Sequence, residues 1–270
     1  MFLVCAISFL TIAVSSEAFR YYGAFNIKTF VMNIFMFQDY PLFLLADKIL
    51  GGKFAVTSFS SARPFWTLAI EWWYYMFFGY FWLHLKDQVQ IHLLDVLVLG
   101  VLSVVPIFNL LTGRGNCLTL IWLGGVVIEN LYGSINIKSR FLLKLILILL
   151  AALLIADGIF IREAYSRSFQ VLTLLTLWAF FVFLKNSDNM ITGEKFQNAV
   201  KFMASYSYSL YLIHYSILDF IYSIPNCNIS DGMKVFIGVA LSNILACGFA
   251  YIFERKTSLL VKKCSDVFHA

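Results

Sequence analysis

The sequence predicts an all-α fold, a polytopic transmembrane helix bundle of about eight to nine membrane segments, and three observations carry that reading. Of its 270 residues 61% are hydrophobic, 18% aromatic and only 13% charged. An ordinary soluble chain carries about 25% charged residues, so this one has roughly half the charge needed to solvate a surface. Apolar runs of about 17–25 residues recur along it, each able to cross about 30 Å of hydrocarbon as a helix. Those runs, such as the one that begins at Phe141, do not alternate with polar residues, which excludes the period-two strands of an outer-membrane barrel.

Taken in order, the apolar spans are expected near residues 1–15, 66–84, 93–111, 117–132, 141–157, 169–185, 206–225 and 233–253. The first leads into small residues at Ser15, Ser16 and Ala18 like a secretory signal, but no basic residue precedes its apolar run, so a retained helix is expected. Residues 30–50 are harder, because Gln38, Asp39, Pro41 and Asp47 interrupt an otherwise apolar stretch. A broken or interfacial helix lining a cavity fits this pattern, since irregular backbone at membrane depth must be buried or wetted; so does a bent spanning helix. No repeat, low-complexity tract or Pro/Gly-rich linker divides the chain, and residues 1–270 read as a single transmembrane domain.

The net charge of +5 comes from 20 Lys and Arg against 15 Asp and Glu. The basic residues sit mostly in short connections, which is membrane topology and not a nucleic-acid surface. With the C-terminal tail cytoplasmic, 11 basic residues fall on that side: Lys86, Lys138, Arg140, Lys144, Lys185, Lys195, Lys201, Arg255, Lys256, Lys262 and Lys263. The other side holds 6: Lys53, Arg63, Arg114, Arg162, Arg167 and Lys234, with Arg20, Lys28 and Lys48 assigned to neither. The bias favours a cytoplasmic C-terminus. Cys5, Cys117, Cys227, Cys247 and Cys264 are odd in number and widely spaced, which indicates neither a disulfide framework nor a zinc site. His84, His92, His214 and His269 are equally scattered, and no metal site is expected.

Ionisable groups inside spans are costly, and each is a functional hypothesis by default. Glu71 follows Arg63-Pro64-Phe65-Trp66-Thr67 on a helix opened by Pro64, where a missing N–H does no harm. At 100° per residue Thr67, Glu71, Tyr75, Phe78 and Trp82 share one face, a stripe suited to a hydroxylated or cationic group. An aromatic belt with Glu71 tied to a neighbouring helix gives the same pattern. His214 flanks a face formed by Tyr208, Tyr211, Tyr215, Asp219 and Tyr222. It suits proton transfer or a ligand hydrogen bond, or a structural bond to a neighbouring tyrosine. Glu129 and Asp157 lie near span ends, where snorkelling explains them, and Glu254 with Arg255 marks the expected exit of the last span.

Three segments resemble the membrane-bound acyltransferase 3 family, which includes bacterial O-antigen and exopolysaccharide O-acetyltransferases. Trp66-Thr67-Leu68-Ala69-Ile70-Glu71-Trp72-Trp73-Tyr74-Tyr75 is similar to the family's W-S-L-x-x-E-x-x-F-Y helix. Ser205-Tyr206-Ser207-Tyr208-Ser209-Leu210-Tyr211-Leu212-Ile213-His214 resembles its late Y-S-L-Y-L-x-H helix, and Tyr251-Ile252-Phe253-Glu254-Arg255 its closing Y-x-x-E-R/K element. Trp122-Leu123-Gly124-Gly125 is weakly similar to a mid-chain glycine helix. The two helices that open the family, with an Arg and a His that the resemblance makes catalytic, have no counterpart, nor has its R-x-x-R pair. The resemblance thus implies a chain that is N-terminally incomplete relative to the family, and a poor acyltransferase by itself.

What the resemblance implies is an integral membrane protein of a bacterial inner (plasma) membrane. It would move an acyl group, usually acetyl, from acyl-CoA to a hydroxyl of a cell-surface carbohydrate. Acetyl-CoA is then a co-substrate and no bound cofactor is implied; the partners are the acyl-CoA donor, the carbohydrate acceptor and the lipid bilayer, with no nucleic acid. Glu71 and His214 are the candidate catalytic residues. Arg63, Trp66, Thr67, Tyr74, Tyr75 and Tyr211 are the candidate substrate contacts, Arg63 for anionic groups, Tyr74 and Tyr75 for a sugar face, and Tyr211 with His214 lining the cavity. A transporter or flippase of a glycan or lipid-linked sugar is the competing reading, and a catalytically silent membrane partner the third.

Overall fold

A computed structural model describes residues 1–15, 19–86, 90–111, 118–132, 139–161, 167–185, 194–225 and 229–268. Among these every regular element is helical: α1 (Phe2–Val14), α2 (Ile27–Ile34), α3 (Pro41–Leu50), α4 (Phe65–Tyr80), α5 (Leu93–Leu111), α6 (Leu118–Tyr132), α7 (Arg140–Phe160), α8 (Arg167–Lys185), α9 (Glu194–Ala204), α10 (Ser207–Tyr222) and α11 (Asp231–Phe268). Cys117, Cys227, Arg114, Lys138, Arg162 and His269 lie outside the described residues, as do the side chains of Arg140, Arg167, Lys185, Lys195, Glu254, Arg255, Lys256, Lys262, Lys263 and Cys264.

The eight expected spans coincide with α1, α4, α5, α6, α7, α8, α10 and α11. Three of these are long and apolar enough to cross a membrane: α5, α7 over Phe141–Phe160 and α11 over Asp231–Phe253. Shorter apolar stretches occupy Leu3–Val14, Leu118–Asn130 and Ser168–Leu184. Two elements go beyond the expected spans. The apolar span of α11 ends at Phe253, as expected, but the helix itself runs 38 residues to Phe268, about 57 Å at 1.5 Å per residue, because no Gly or Pro follows Glu254 to end it. The short amphipathic α9 carries too many polar residues to register as an apolar span.

The chain divides into two compact units, one made of Met1–Trp72 with Gly193–Ala270, the other of Trp73–Thr192. In the second, α5 packs on α6, and α8 packs on both α6 and α7. Gly124 of α6 approaches α8 so closely that a Cβ there would meet a methyl carbon of Leu174 at 2.5 Å. In the first unit Val4 and Ile7 of α1, Ala62 and Phe65 at the start of α4, Ile213, Ile217 and Ile221 of α10, and Ala246 and Ala250 of α11 form one buried cluster. Small residues let these helices meet, as is usual where lipid offers no hydrophobic drive between them. Ser8, Ser216 and Ser242 are buried, and a Cβ on Gly238 would strike Leu218 at 2.4 Å.

The stretch 30–50 is a break, not a bent helix. α2 ends at Ile34, the backbone turns through Met36 (φ 58°) and Asp39 (φ 54°), and Pro41 opens α3, holding the preceding Tyr40 out of helical conformation. α3 closes on Gly51 at φ 63°, the left-handed cap that glycine adopts without a Cβ clash. The polar residues that interrupted the pattern hold the irregular segment that follows. Asn33 Nδ2 donates to Thr57 O at 3.0 Å and to Thr29 O at 2.8 Å, and its Oδ1 accepts from Phe59 N at 3.0 Å. Gln38 Nε2 donates to Phe65 O at 2.8 Å. The Asp47 carboxylate accepts from the N–H groups of Phe54 and Ala55, and Asp39 N donates to Val56 O at 2.8 Å. Backbone that is neither helix nor sheet is thereby supplied with partners, which low-dielectric surroundings require.

Candidate functional site

Within the first unit, the start of α4 and the middle of α10 are brought together. Pro64 precedes α4, and Thr67 in its first turn donates its hydroxyl to Pro64 O at 2.7 Å. The same Oγ1 is hydrogen-bonded to the phenol oxygen of Tyr211. Two segments singled out in the sequence, around Thr67 and around Tyr211, therefore touch, although these residues are 144 positions apart.

α10 has two sides. Ser209, Ile213, Ser216, Ile217 and Ile221 are buried, and Ser216 Oγ donates to Ser61 O at 3.2 Å, while Ser61 Oγ is 3.0 Å from Ser8 Oγ. The opposite side carries the tyrosine stripe expected from the sequence, with Tyr208, Tyr211 and Tyr222 exposed. Tyr215 continues it and shares a hydrogen bond of 2.9 Å with the hydroxyl of Tyr21. Two guanidinium groups lie over the Tyr21 ring, the Cζ of Arg20 at 5.5 Å from its centroid and that of Arg63 at 5.4 Å. One turn beyond Tyr215, Asp219 is half-buried and its Oδ2 has no hydrogen-bond partner among the described residues.

His214 sits at the middle of α10. Its Nδ1 is 2.8 Å from Tyr211 O and 3.2 Å from Leu210 O. Carbonyl oxygens only accept, so in the neutral ring Nδ1 carries the hydrogen and Nε2 is the acceptor nitrogen. The imidazole lines an open groove of about 370 Å³ between α10 and α11, with Ser207, Leu210, Tyr211, Leu218, Val239, Ser242 and Asn243. Asn243 Oδ1 is held by the Tyr206 hydroxyl at 3.2 Å, whereas the buried Ser242 hydroxyl has no partner among the described residues. A site so built can take a proton from a hydroxyl at Nε2 and donate a hydrogen bond from Ser242, while the Tyr211 hydrogen goes to Thr67 Oγ1.

The remaining candidates are spread along α4. Trp66 is half-buried, and Glu71 is on the exposed side of the helix one turn beyond Thr67; the bond that ties α4 to α10 runs through Thr67. Tyr74 belongs to the second unit and is 3% exposed, with its hydroxyl 2.9 Å from Thr119 Oγ1 and its ring edge-on to Trp122 at 5.8 Å. Tyr75 is 58% exposed and also meets Trp122, which stacks on Phe78 at 4.5 Å.

Two groupings were not foreseen from the sequence. Arg20 and Tyr21 belong to a connection after α1, and the signal for them is an arginine-tyrosine pair at the end of an apolar run. In the second unit Asp95 accepts from the Tyr80 hydroxyl at 2.7 Å and from His92 N at 2.9 Å, and lies 3.2 Å from His84 Nε2. These bonds clip the π-helical end of the α4 segment, Phe81–Leu85, to the first turn of α5. In comparison with known proteins, no family model, curated protein or solved structure matches this chain, so its functional reading rests on its own motifs and geometry.

Proposed function

We propose that the chain is an integral membrane O-acyltransferase that moves an acyl group, most simply acetyl, from acyl-CoA to a hydroxyl of a cell-surface carbohydrate. It works in a bacterial inner membrane with its C-terminus cytoplasmic, and the remaining apolar helices add to the three long ones to make eight or nine membrane segments. The observation that carries this reading is the Thr67–Tyr211 bond beside a groove lined by His214 with Nε2 as acceptor.

The chemistry follows from the residue types. A sugar hydroxyl is a poor nucleophile until its proton is taken, and a positioned histidine contributes about 10²–10⁴-fold. His214 Nε2 takes that proton as the hydroxyl oxygen attacks the thioester carbonyl. The tetrahedral intermediate collapses with loss of the CoA thiolate, which recovers a proton from the imidazolium. Tyr211 donates to Thr67 Oγ1, whose own hydrogen goes to Pro64 O, and the Ser242 hydroxyl that lines the groove with His214 is the donor for the developing oxyanion. Glu71 grips an acceptor hydroxyl, Arg63 an anionic group, and the ring of Trp66 offers a sugar face.

A second reading, a transporter or flippase for a glycan or lipid-linked sugar, draws on the break between α2 and α3, since transporters use interrupted helices at their binding sites. The two separate by assay. Purified protein is incubated with acetyl-labelled acetyl-CoA and a panel of oligosaccharides, both as this chain and extended by the two helices that open the acyltransferase 3 family. Acyl transfer predicts label in the glycan that is lost in His214→Ala. Label that never leaves CoA in either form, with glycan flux into vesicles, would select the transporter.

A further inference from the structure

We propose that the outer end of the tyrosine stripe, formed by Arg20, Tyr21, Arg63, Tyr215 and Asp219, binds an acidic carbohydrate: a sugar ring that carries a carboxylate or phosphate beside free hydroxyls. The proposal rests on the acyl-transfer reading only in calling this ligand the acceptor.

Two like charges converge here. Both guanidinium carbons lie within 5.5 Å of the centroid of one ring, so they are no further apart than about twice that. Neither is in an ion pair within 4.0 Å among the described residues. Asp219 is close enough to act on Arg20 electrostatically without pairing with it, and one carboxylate leaves a net positive charge beside two arginines. A guanidinium presents a planar fork of donors that matches a carboxylate or phosphate, so the arginines ask for an anion.

The other half of the site asks for a donor. Asp219 is half-buried and its Oδ2, closed to solvent, has no hydrogen-bond partner among the described residues; a carboxylate oxygen left unpaired is costly, and turning the carboxylate outward would offer it to a ligand hydroxyl. A bare anion would satisfy the arginines and be repelled by Asp219. A neutral sugar would satisfy Asp219 with a hydroxyl and leave the arginines without a counter-charge. A ligand with both groups on one ring satisfies each, and the linked phenols of Tyr21 and Tyr215 add polar contacts and a ring face. The site also joins the acyl-transfer groove along one helix: Tyr211, Tyr215 and Asp219 are spaced by four residues, one turn each. By the charge bias Arg63 is on the side opposite the C-terminus, where a surface carbohydrate is met.

The test measures binding to the purified full chain in detergent, with four probes: a disaccharide containing glucuronic acid, its neutral glucose counterpart, inorganic phosphate, and phosphatidylglycerol. The acidic disaccharide is expected to bind about tenfold or more tighter than the neutral one, the effect of one charge-assisted hydrogen bond, and the preference is expected to shrink as salt rises. Arg20→Gln and Arg63→Gln should each erase the preference while Arg63→Lys keeps part of it. Asp219→Asn should weaken the disaccharide and strengthen phosphate, because the repulsion is gone. Equal binding of the neutral sugar, or a preference that survives both Gln variants, overturns the proposal; the probe comparison and salt titration on the unaltered chain decide it even where a variant fails to fold. Phosphate that competes at the same concentration would mean a bare anion site, and displacement by phosphatidylglycerol a lipid site, and either also overturns it. Binding of the acidic sugar without acyl transfer would remove the acyl-transfer reading and leave this one standing; transfer without preference for acidic acceptors would do the reverse.

Discussion

The first unit holds two regions where polar groups interrupt apolar sequence, and they use those groups in opposite ways. Between α2 and α4, the amides of Asn33 and Gln38 and the carboxylate of Asp47 are turned onto backbone N–H and C=O groups of residues 54–65. Along α10, the Arg20 and Arg63 guanidiniums have no ion pair within 4.0 Å among the described residues, Asp219 Oδ2 has no hydrogen bond there, and His214 keeps Nε2 as an acceptor. A polar residue in an apolar stretch is thus no signal of function until its hydrogen bonds are traced. Those directed at irregular backbone have a structural role, and those left over, as along α10, are where a functional role is to be tested.

This contrast can be broken by substitution. The largest effect on stability is expected from Asn33→Leu, which strands the buried Phe59 N–H and frees the part-buried Thr57 C=O and should cost about 1–3 kcal/mol, the scale of one buried unsatisfied group. Thermal unfolding in detergent reads it; a change below about 1 kcal/mol would mean that water replaces the amide. Glu71→Gln keeps shape and removes charge, and acetyl transfer should fall by at least about tenfold with folding unaffected; full transfer at normal expression would remove Glu71 from the site. Thr67→Val, which deletes the bond to Tyr211, should lower turnover by about tenfold, the scale of one hydrogen bond, and a matching loss in Tyr211→Phe without additivity in the double variant would show that the two act as a pair. Asp47→Asn should be mildest, about 1 kcal/mol and no change in transfer, because Asp47 serves only the 54–55 backbone.

Much of the architecture was legible in the sequence, since a continuous apolar run leaves helix as the only spanning structure and the runs coincide with helices within a few residues. The end of α11 was not, because Glu254-Arg255-Lys256 reads as an exit whether the helix stops or continues into water. α9 was hidden by its length and polarity. Residues 30–50 were legible as an anomaly but not as a solution: Gln38 and Asp47 stand out, while the segment they support, residues 51–64, carries no periodicity. The site was half legible. The face of Tyr208, Tyr211, Tyr215 and Asp219 follows from helical spacing, but the partners across it, Thr67, Tyr21, Arg20 and Arg63, are brought by tertiary packing that no local pattern encodes. The same limit hid the His84–Asp95 contact, which depends on how α4 turns into α5.

The account stands on His214 as the group that α10 holds ready, with its Nδ1–H tied to the backbone and Nε2 left to accept. The direct measurement is acetyl-CoA turnover against an oligosaccharide acceptor by the purified chain, alone and with the two-helix N-terminal extension, and by the His214→Ala and His214→Gln variants of each, with thermal unfolding followed in parallel. A fall of about 10²–10⁴-fold in turnover at unchanged unfolding temperature is the predicted result. Turnover that survives His214→Ala undiminished would contradict it.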